Sequence, residues 1–408
     1  MKSFDVLIVG SGHAGAQAAI SLRQSGFEGS ISIVTDEAHL PYERPPLSKD
    51  ALSDAYDFEQ GAIRPSAFWK EQGIELLLGR RVISIDAEAH TVALDDGGLL
   101  GYAKLIWAAG GSPRRLPCVP DDLHGVHYLR NRAHAEAIQI ALSRATNIVV
   151  VGGGYIGLEV AAALVNLGRT VTLVETSPRL LSRSASEPLS DFLHAEHTRQ
   201  GVDIRLNAKV AAVEAQDGVV ASLTLEDGEN LPADLLLIGI GIDPLIDPLQ
   251  QAGAELGAGG VLVDSRCRTT LPDVYAIGDC AAHVNAYGDG RVLRLESVQN
   301  AHDQAAVVAA ELVGKGADYD ALPWFWSDQY DLKLQTAGLS LDFDRAIVRG
   351  DIASRSFSIV YKRDGVVIAL DCINAPRDYI QGRSLVTRRS TASDETIADV
   401  TSPIKSLA

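Results

Sequence analysis

Gly10-Ser-Gly12-His-Ala14-Gly15 and Gly152-Gly-Gly154-Tyr155-Ile156-Gly157 are two copies of a spacing that binds pyrophosphate. The first glycine permits a tight turn, the second lets the backbone approach the ligand, and the third lets a helix pack close to a strand. The N–H groups and dipole of the helix N-terminus then hold the anion. An acid follows each copy by about 20 residues, Asp36 and Glu175, where a carboxylate accepts hydrogen bonds from ribose hydroxyls. Two copies predict two bound dinucleotides. Glu175 closes an apolar run and would repel a 2′-phosphate, which favours NADH over NADPH; Arg179 is the one nearby cation opposing that preference. In the first copy Thr35 directly follows the run, then Asp36 with Glu37 beside it, so the acid is displaced by one place.

Other side chains bear on chemistry through what they lack. Cys118, Cys267, Cys280 and Cys372 are far apart and make no CxxC or Cys/His cluster, so the sequence predicts reduced, mostly buried thiols, no metal site and a reducing compartment. Lys49 follows the stiff Pro45-Pro46 pair, Glu159 stands two residues past Gly157, Asp279 follows Gly278, and Trp324 and Trp326 alternate in an aromatic cluster.

The elements that must position these residues are legible from the pattern. Val6 to Val9 and Ile148 to Val151 are apolar strands. Each glycine turn opens a helix, Ala14 to Ser25 closed by Gly26 and Tyr155 to Leu167 closed by Gly168, where the final glycine suits a left-handed cap. A second strand follows each, Ser30 to Thr35 and Thr170 to Glu175, completing a βαβ unit. Leu105 to Gly111, Leu235 to Pro244 and Val274 to Ala281 are further strands that break at glycine. From about Tyr319 the chain turns aromatic and β-rich, with strands at Ser356 to Tyr361 and Val366 to Cys372, and the Ser/Thr/Ala-rich tail after about Val386 reads as loosely held.

Composition bounds the answer. The 408 residues carry 36 Lys+Arg against 53 Asp+Glu, a formal charge of −17, which opposes general affinity for nucleic acid or anionic membranes. With 46% hydrophobic and 22% charged residues, this is a folded, water-soluble chain. The start of the sequence has no signal-peptide pattern and no window reaches about 18 apolar residues, so the expected location is the cytoplasm.

Taken together, the two turns, Pro41-Tyr-Glu-Arg-Pro-Pro-Leu-Ser-Lys49, Leu129-Arg130, Gly152 to Glu159, Gly278-Asp279-Cys280, Arg294-Leu-Glu-Ser-Val298-Gln-Asn300-Ala and Pro323-Trp-Phe-Trp-Ser-Asp-Gln329 resemble the oxygenase-coupled, FAD-dependent NADH:ferredoxin reductases. Putidaredoxin reductase and the reductase components of ring-hydroxylating dioxygenases are of this type. The resemblance runs nearly end to end. It implies an α/β, glutathione reductase-like fold of two Rossmann-like domains and a C-terminal α+β domain: FAD-binding residues 1–112 and 242–318, NAD-binding residues 113–241, and a C-terminal domain at 319–408.

The resemblance also implies electron flow from NADH through FAD to a [2Fe-2S] ferredoxin that feeds a P450 monooxygenase or a Rieske dioxygenase in aromatic hydrocarbon catabolism, with a monomer or weak homodimer as the working form. By the same resemblance Gly10, Gly12, Ala14, Gly15 and Asp36 meet FAD, together with Arg44, Lys49, Val82, Arg130, Gly278, Asp279, Val298, Trp324 and Trp326. Gly152, Gly154, Tyr155, Ile156, Gly157 and Glu175 meet NAD. Lys49 and Glu159 form the candidate catalytic pair, chiefly a positioning device, since a fixed cation near flavin N5 favours the electron-rich reduced ring.

The sequence departs from the family pattern at Ala108-Ala109-Gly110, at Asn131 after Leu129-Arg130 and at Gly241 to Leu245, each expected to lose a local hydrogen-bonding group. An acidic ferredoxin needs a local basic patch, for which Arg44, Arg64, Arg294, Lys333, Arg377 and Arg383 are available. The alternatives are a disulfide reductase, which the cysteine pattern opposes, an NADH-dependent reductase or oxidase of a small acceptor, and an apoptosis-inducing-factor-like redox binding protein.

Overall fold

Unbroken apolar runs such as Val6-Leu-Ile-Val9 and Ile148-Val-Val-Val151 have no polar side to offer solvent, so they become strands covered on both faces. A computed structural model describes residues 1–120, 123–316 and 318–408 of the chain. Its residues gather into two compact units: Met1–Arg44, Glu59–Ser112 and Asp243–Phe325 form the first; Pro45–Phe58, Pro113–Ile242 and Trp326–Ala408 form the second.

In the first unit, strand Lys2–Val9 lies between Ile31–Val34 and Leu99–Trp107, with Ile74–Leu77 outside the former; all four run parallel. Val274–Ala276 adds a further parallel strand beside Leu99–Trp107, while Thr91–Leu94 and Val82–Asp86 add antiparallel ones. Alternation along Lys2–Val9 sorts its side chains. Val6 and Ile8 pack with the Ala-rich helix His13–Gln24 and with Ala301, Ala305 and Val308 of helix Val298–Leu312, whereas Leu7 and Val9 pack with Val34, Leu105 and Trp107 on the other face.

The second unit repeats the plan. The order Asp203–Arg205, Val171–Val174, Ile148–Val151, Leu235–Ile238, Val126–Tyr128 is parallel throughout. The central strand in each sheet thus has its chain neighbour on one side and a later strand on the other, which opens a crevice at the carboxyl ends where ligands bind. Both helices end as expected: Gly26 and Gly168 take φ of +90° and +74°, and their N–H groups donate to Arg23 and Val165 carbonyls at 3.1 and 2.8 Å.

An antiparallel sheet of order Trp324–Gln329, Leu332–Gly338, Val366–Ile373, Ser356–Arg363, Arg345–Asp351 completes the chain. Leu334, Phe357, Ile359 and Ile373 share the core of the second unit with Leu189 and Phe192 of helix Glu187–Arg199, Phe192 meeting Phe357 edge to face at 5.0 Å.

The tail is not loose. Helices Pro376–Thr387 and Asp394–Ala398 follow the sheet, and Ile397 and Ile404 are buried. The buried Arg349 guanidinium donates to the carbonyls of Ile397 (3.0 Å), Asp399 (2.7 Å) and Ser402 (2.9 Å), and pairs with Asp378 at 3.2 Å. The polar composition hid two apolar anchors and a clamp supplied by a distant strand. Arg349→Met is expected to destabilise the protein by about 3 kcal/mol, since charged hydrogen bonds contribute roughly 1.5–3 each and buried carbonyls are left unpaired. Limited proteolysis should then cut within residues 388–408; resistance equal to the parent would remove the clamp. No helix among the described residues is long and apolar enough to cross a membrane.

Candidate functional site

The two glycine turns are built alike, bond for bond. Gly10 donates to the Val34 carbonyl and Gly152 to the Val174 carbonyl, both at 2.8 Å; Val9 accepts from Ala108 and Val151 from Gly239, again at 2.8 Å. Gly10 and Gly152 have φ of +102° and +114°, and a Cβ on either would stand 2.4 or 2.3 Å from a neighbouring strand's carbonyl oxygen. A Cβ on Gly15 or Gly157 would stand 1.9 Å from the oxygen of Gly10 or Gly152, so only glycine lets helix and strand close.

The middle glycines differ from these. Nothing lies within 4 Å of a Cβ placed on Gly154, and the neighbouring Ile156 is 47% exposed, an apolar side chain left at the rim of an open backbone cradle. Both helices begin at a glycine N-cap, which offers no side chain to the first-turn N–H groups. Those donors, that space and the apolar rim fit a dinucleotide pyrophosphate.

Glu175 is folded under the second turn, its carboxylate accepting from Gly153 N at 2.6 Å and from Ser177 N at 2.7 Å. Arg179, the cation that opposed a preference for NADH, is occupied elsewhere: it donates to the carbonyls of Ser182 and Ala185 and to Ser190 Oγ at 2.7–2.9 Å. In the first unit Glu37 is the half-buried acid that follows the strand. Its carboxylate accepts from Tyr42 and Arg44, and the Arg44 Nε lies 3.3 Å from a Cβ placed on Gly12. Burial works against the Arg44 cation, but Glu37, Tyr42 and Asp279 outweigh it and hold its pKa above the ordinary value. Asp36, the acid chosen from spacing, is exposed and pairs with Arg81 at 3.4 Å.

Lys49 and Glu159 meet, although 110 positions separate them. The Pro45–Ser48 turn, stiffened by its two prolines, presents both Ser48 and Lys49. Lys49 Nζ donates to Glu159 Oε2 at 2.8 Å and to the Pro45 carbonyl at 3.2 Å, and Ser48 Oγ donates to the same Oε2 at 2.6 Å. Ser327 Oγ donates to Oε1 at 2.7 Å. Glu159 is only 4% exposed, so three donors hold a carboxylate that water does not reach. Gln139 pins the loop from behind through the carbonyls of Ala51 and Ser53.

Gly278 joins the first turn, a Cβ on it standing 3.0 Å from Ala14 Cβ, and its N–H donates to Gln304 on the helix that starts at Val298. Val82 is a core residue, packed with Val9 and Val34. Trp324 belongs to the first unit, its N–H donating to Gln299; Arg130 and Trp326 belong to the second, half-buried. Tyr155 is half-buried, and desolvation together with the nearby Asp371 pushes its hydroxyl pKa up, while burial pushes the Asp371 carboxyl up to about 7.

Two expectations drawn from the sequence need amending. Asn131 keeps the local bond: its side chain caps helix Arg132–Leu142 by accepting from His134 N at 2.9 Å. Of the basic residues considered for a docking patch, Arg44 is tied to Glu37, and Arg294 is tied to Glu296 and to the Asp279 carbonyl, both at 2.8 Å. Arg64, Lys333 and Arg377 stay exposed. Ser48, Ser327 and Gln329 were not singled out, although all three lie inside the quoted motifs.

All four cysteines are free, and Cys267, Cys280 and Cys372 are buried, with burial pushing every thiol pKa up, Cys280 to about 12. Burial and raised thiol pKa values therefore both work against disulfide exchange. This fold, with two pyrophosphate turns and an internal ion pair, defines a two-dinucleotide oxidoreductase. Residues 4–305 match the family model "Pyridine nucleotide-disulphide oxidoreductase" and residues 324–408 match "Reductase C-terminal". The chain belongs to the pyridine nucleotide-disulphide oxidoreductase family.

A ferredoxin–NAD(P)(+) reductase from a Sphingomonas species is 52% identical over 95% of this chain and 94% of its own. The ferredoxin reductase subunit of 5,5′-dehydrodivanillate O-demethylase from a Sphingobium species is 50% identical over 100% of this chain and 99% of its own. The solved covalent complex of putidaredoxin reductase with putidaredoxin superposes with a TM-score of 0.95 at 38% identity, covering 100% of this chain and 98% of that one. The resemblance read from the motifs and the expected fold class are both borne out.

Proposed function

We propose that this protein is an NADH:ferredoxin oxidoreductase, drawing electrons from NADH, holding them on FAD, and delivering them to a [2Fe-2S] ferredoxin that serves a P450 or Rieske oxygenase. The observation that carries the reading is the pairing of two nucleotide turns with cysteines that cannot form a dithiol centre: a reductase of this fold so equipped must pass its electrons to an external acceptor. The relatives' names make that acceptor a ferredoxin. Bound FAD supplies the one chemistry the side chains lack, taking a hydride and releasing single electrons.

FAD belongs to residues 1–112 and 242–318, with Asp36 as the acid at its turn and Glu37 beside it, and NADH to residues 113–241, with the C-terminal domain at 319–408. The Gly152 turn and the first-turn N–H groups of helix Tyr155–Asn166 hold the NADH pyrophosphate, Glu175 the ribose. Lys49, fixed by Glu159 and the Pro45 carbonyl, presents a stationary cation to the flavin, and none of these side chains needs to move a proton. The protein works in the cytoplasm.

The purified chain should be yellow and bleach under anaerobic NADH at least tenfold faster than under NADPH, on the order expected when a carboxylate replaces a phosphate partner. It should then reduce cytochrome c only when a [2Fe-2S] ferredoxin is added. Equal cytochrome c rates with and without ferredoxin would overturn the assignment in favour of a small-acceptor reductase.

A further inference from the structure

Glu159 receives more than its lysine. From its Oε1 a line of buried polar groups leads outward: Ser327 Oγ at 2.7 Å, then Gln329 Nε2 at 3.1 Å from that hydroxyl, then His197 Nε2 at 2.8 Å from Gln329 Oε1, then Tyr330 OH at 3.0 Å from His197 Nδ1. Ser327, Gln329 and His197 are each no more than 2% exposed. All of them lie in the second unit, contributed by strand Trp324–Gln329, the turn that follows it and helix Glu187–Arg199.

With a neutral His197 ring, the donor inventory allows this line a single proton arrangement. An ionised carboxylate only accepts, so the one Ser327 hydroxyl proton goes to Glu159. Ser327 Oγ must then accept, which turns the Gln329 NH2 towards it and the Gln329 carbonyl towards His197. That carbonyl requires Nε2 to carry a proton. His197 Nδ1 is left bare and takes the Tyr330 hydroxyl proton. Every bond dipole therefore points at the carboxylate, and the low-dielectric surroundings strengthen each bond in the series.

One further observation agrees. Burial lowers the His197 pKa, outweighing the raising effects of Gln329 and Glu196, while His194 adds to the lowering, the direction that favours the neutral ring.

We propose that Ser327, Gln329, His197 and Tyr330 form a positioning relay that holds the Glu159 carboxylate from its far oxygen and thereby sets the place of Lys49. The inference rests on the reading that Lys49 and Glu159 serve the reacting centre, and the experiments separate the two.

Ser327→Ala in the holoenzyme removes one oxygen and leaves Ser48 and Lys49 on Glu159. The flavin bleaching rate under saturating NADH should fall about tenfold with KM for NADH unchanged, the signature of lost alignment rather than lost binding. Ser327→Thr, which keeps the hydroxyl, should restore the rate to within about twofold of the parent. Independently of turnover, 15N chemical shifts of labelled imidazoles, assigned with His197→Asn, should show His197 neutral and protonated on Nε2 at pH 7. A charged ring, an Nδ1–H tautomer, or bleaching by the Ser327→Ala variant at the parent rate would each overturn the relay. Parent-rate bleaching by Lys49→Met would instead overturn the reading beneath it, and the His197 tautomer would be unaffected.

Discussion

Gly157→Ala is expected to abolish NADH-driven bleaching while the protein stays yellow. A Cβ at this position falls 1.9 Å from the Gly152 oxygen and 3.1 Å from its carbon. Both partners are backbone, so no side-chain rotamer relieves the clash, and helix Tyr155–Asn166 must lift from strand Ile148–Val151. Overpacking of this kind costs about 3 kcal/mol or more. A displacement near 1 Å of the N–H groups that face the pyrophosphate costs about 100-fold in rate. The flavin survives because Gly10 and Gly15 build their turn in the other compact unit.

Gly154→Ala is the matched control. Its Cβ meets nothing within 4 Å and its φ of −81° suits any residue, so thermal stability should hold. The added methyl occupies the cradle, and KM for NADH should rise about tenfold, in keeping with a lost close approach of backbone to phosphate. Anaerobic stopped-flow bleaching over a range of NADH concentrations, with a thermal melt of each variant, distinguishes the two. An unchanged KM in Gly154→Ala would show that this turn does not meet the pyrophosphate.

Lys49→Met is the second large effect. It strands Glu159, a carboxylate 4% exposed, without its countercharge. Removing one partner of a buried pair costs about 3–5 kcal/mol. The remaining donors, Ser48 and Ser327, keep the loss near the lower bound. The double variant Lys49→Met, Glu159→Leu removes both charges and should recover most of the stability without recovering the bleaching rate. Recovery of the rate along with stability would mean that the pair only supports the fold.

Much of this was legible along the chain because the signals are local. A glycine that must take φ above zero, a strand buried on both faces and a left-handed helix cap each depend on a few consecutive residues, so both βαβ units could be read directly, and with them the family. Glu175 is legible for the same reason: it directly follows its strand. At the first turn the spacing leaves Asp36 and Glu37 side by side, and only the fold shows Asp36 exposed beside Arg81 while Glu37 is drawn in by Tyr42 and Arg44.

The tail was misread on composition, since the segments carrying Ile397 and Ile404 find their burial against strand Arg345–Asp351 and helix Pro376–Thr387, both formed earlier in the chain. What the order of residues could not contain is the environment of Glu159. Its donors stand at positions 48, 49 and 327, up to 168 residues away, and Ser327 reads as an ordinary strand hydroxyl until folding brings it against a buried carboxylate. Periodicity and glycine spacing specify local backbone. Burial and the pairing of charges arise only when distant segments exclude water together, and for that reason the nucleotide turns were written in the sequence while the machinery around the ion pair was set by the fold.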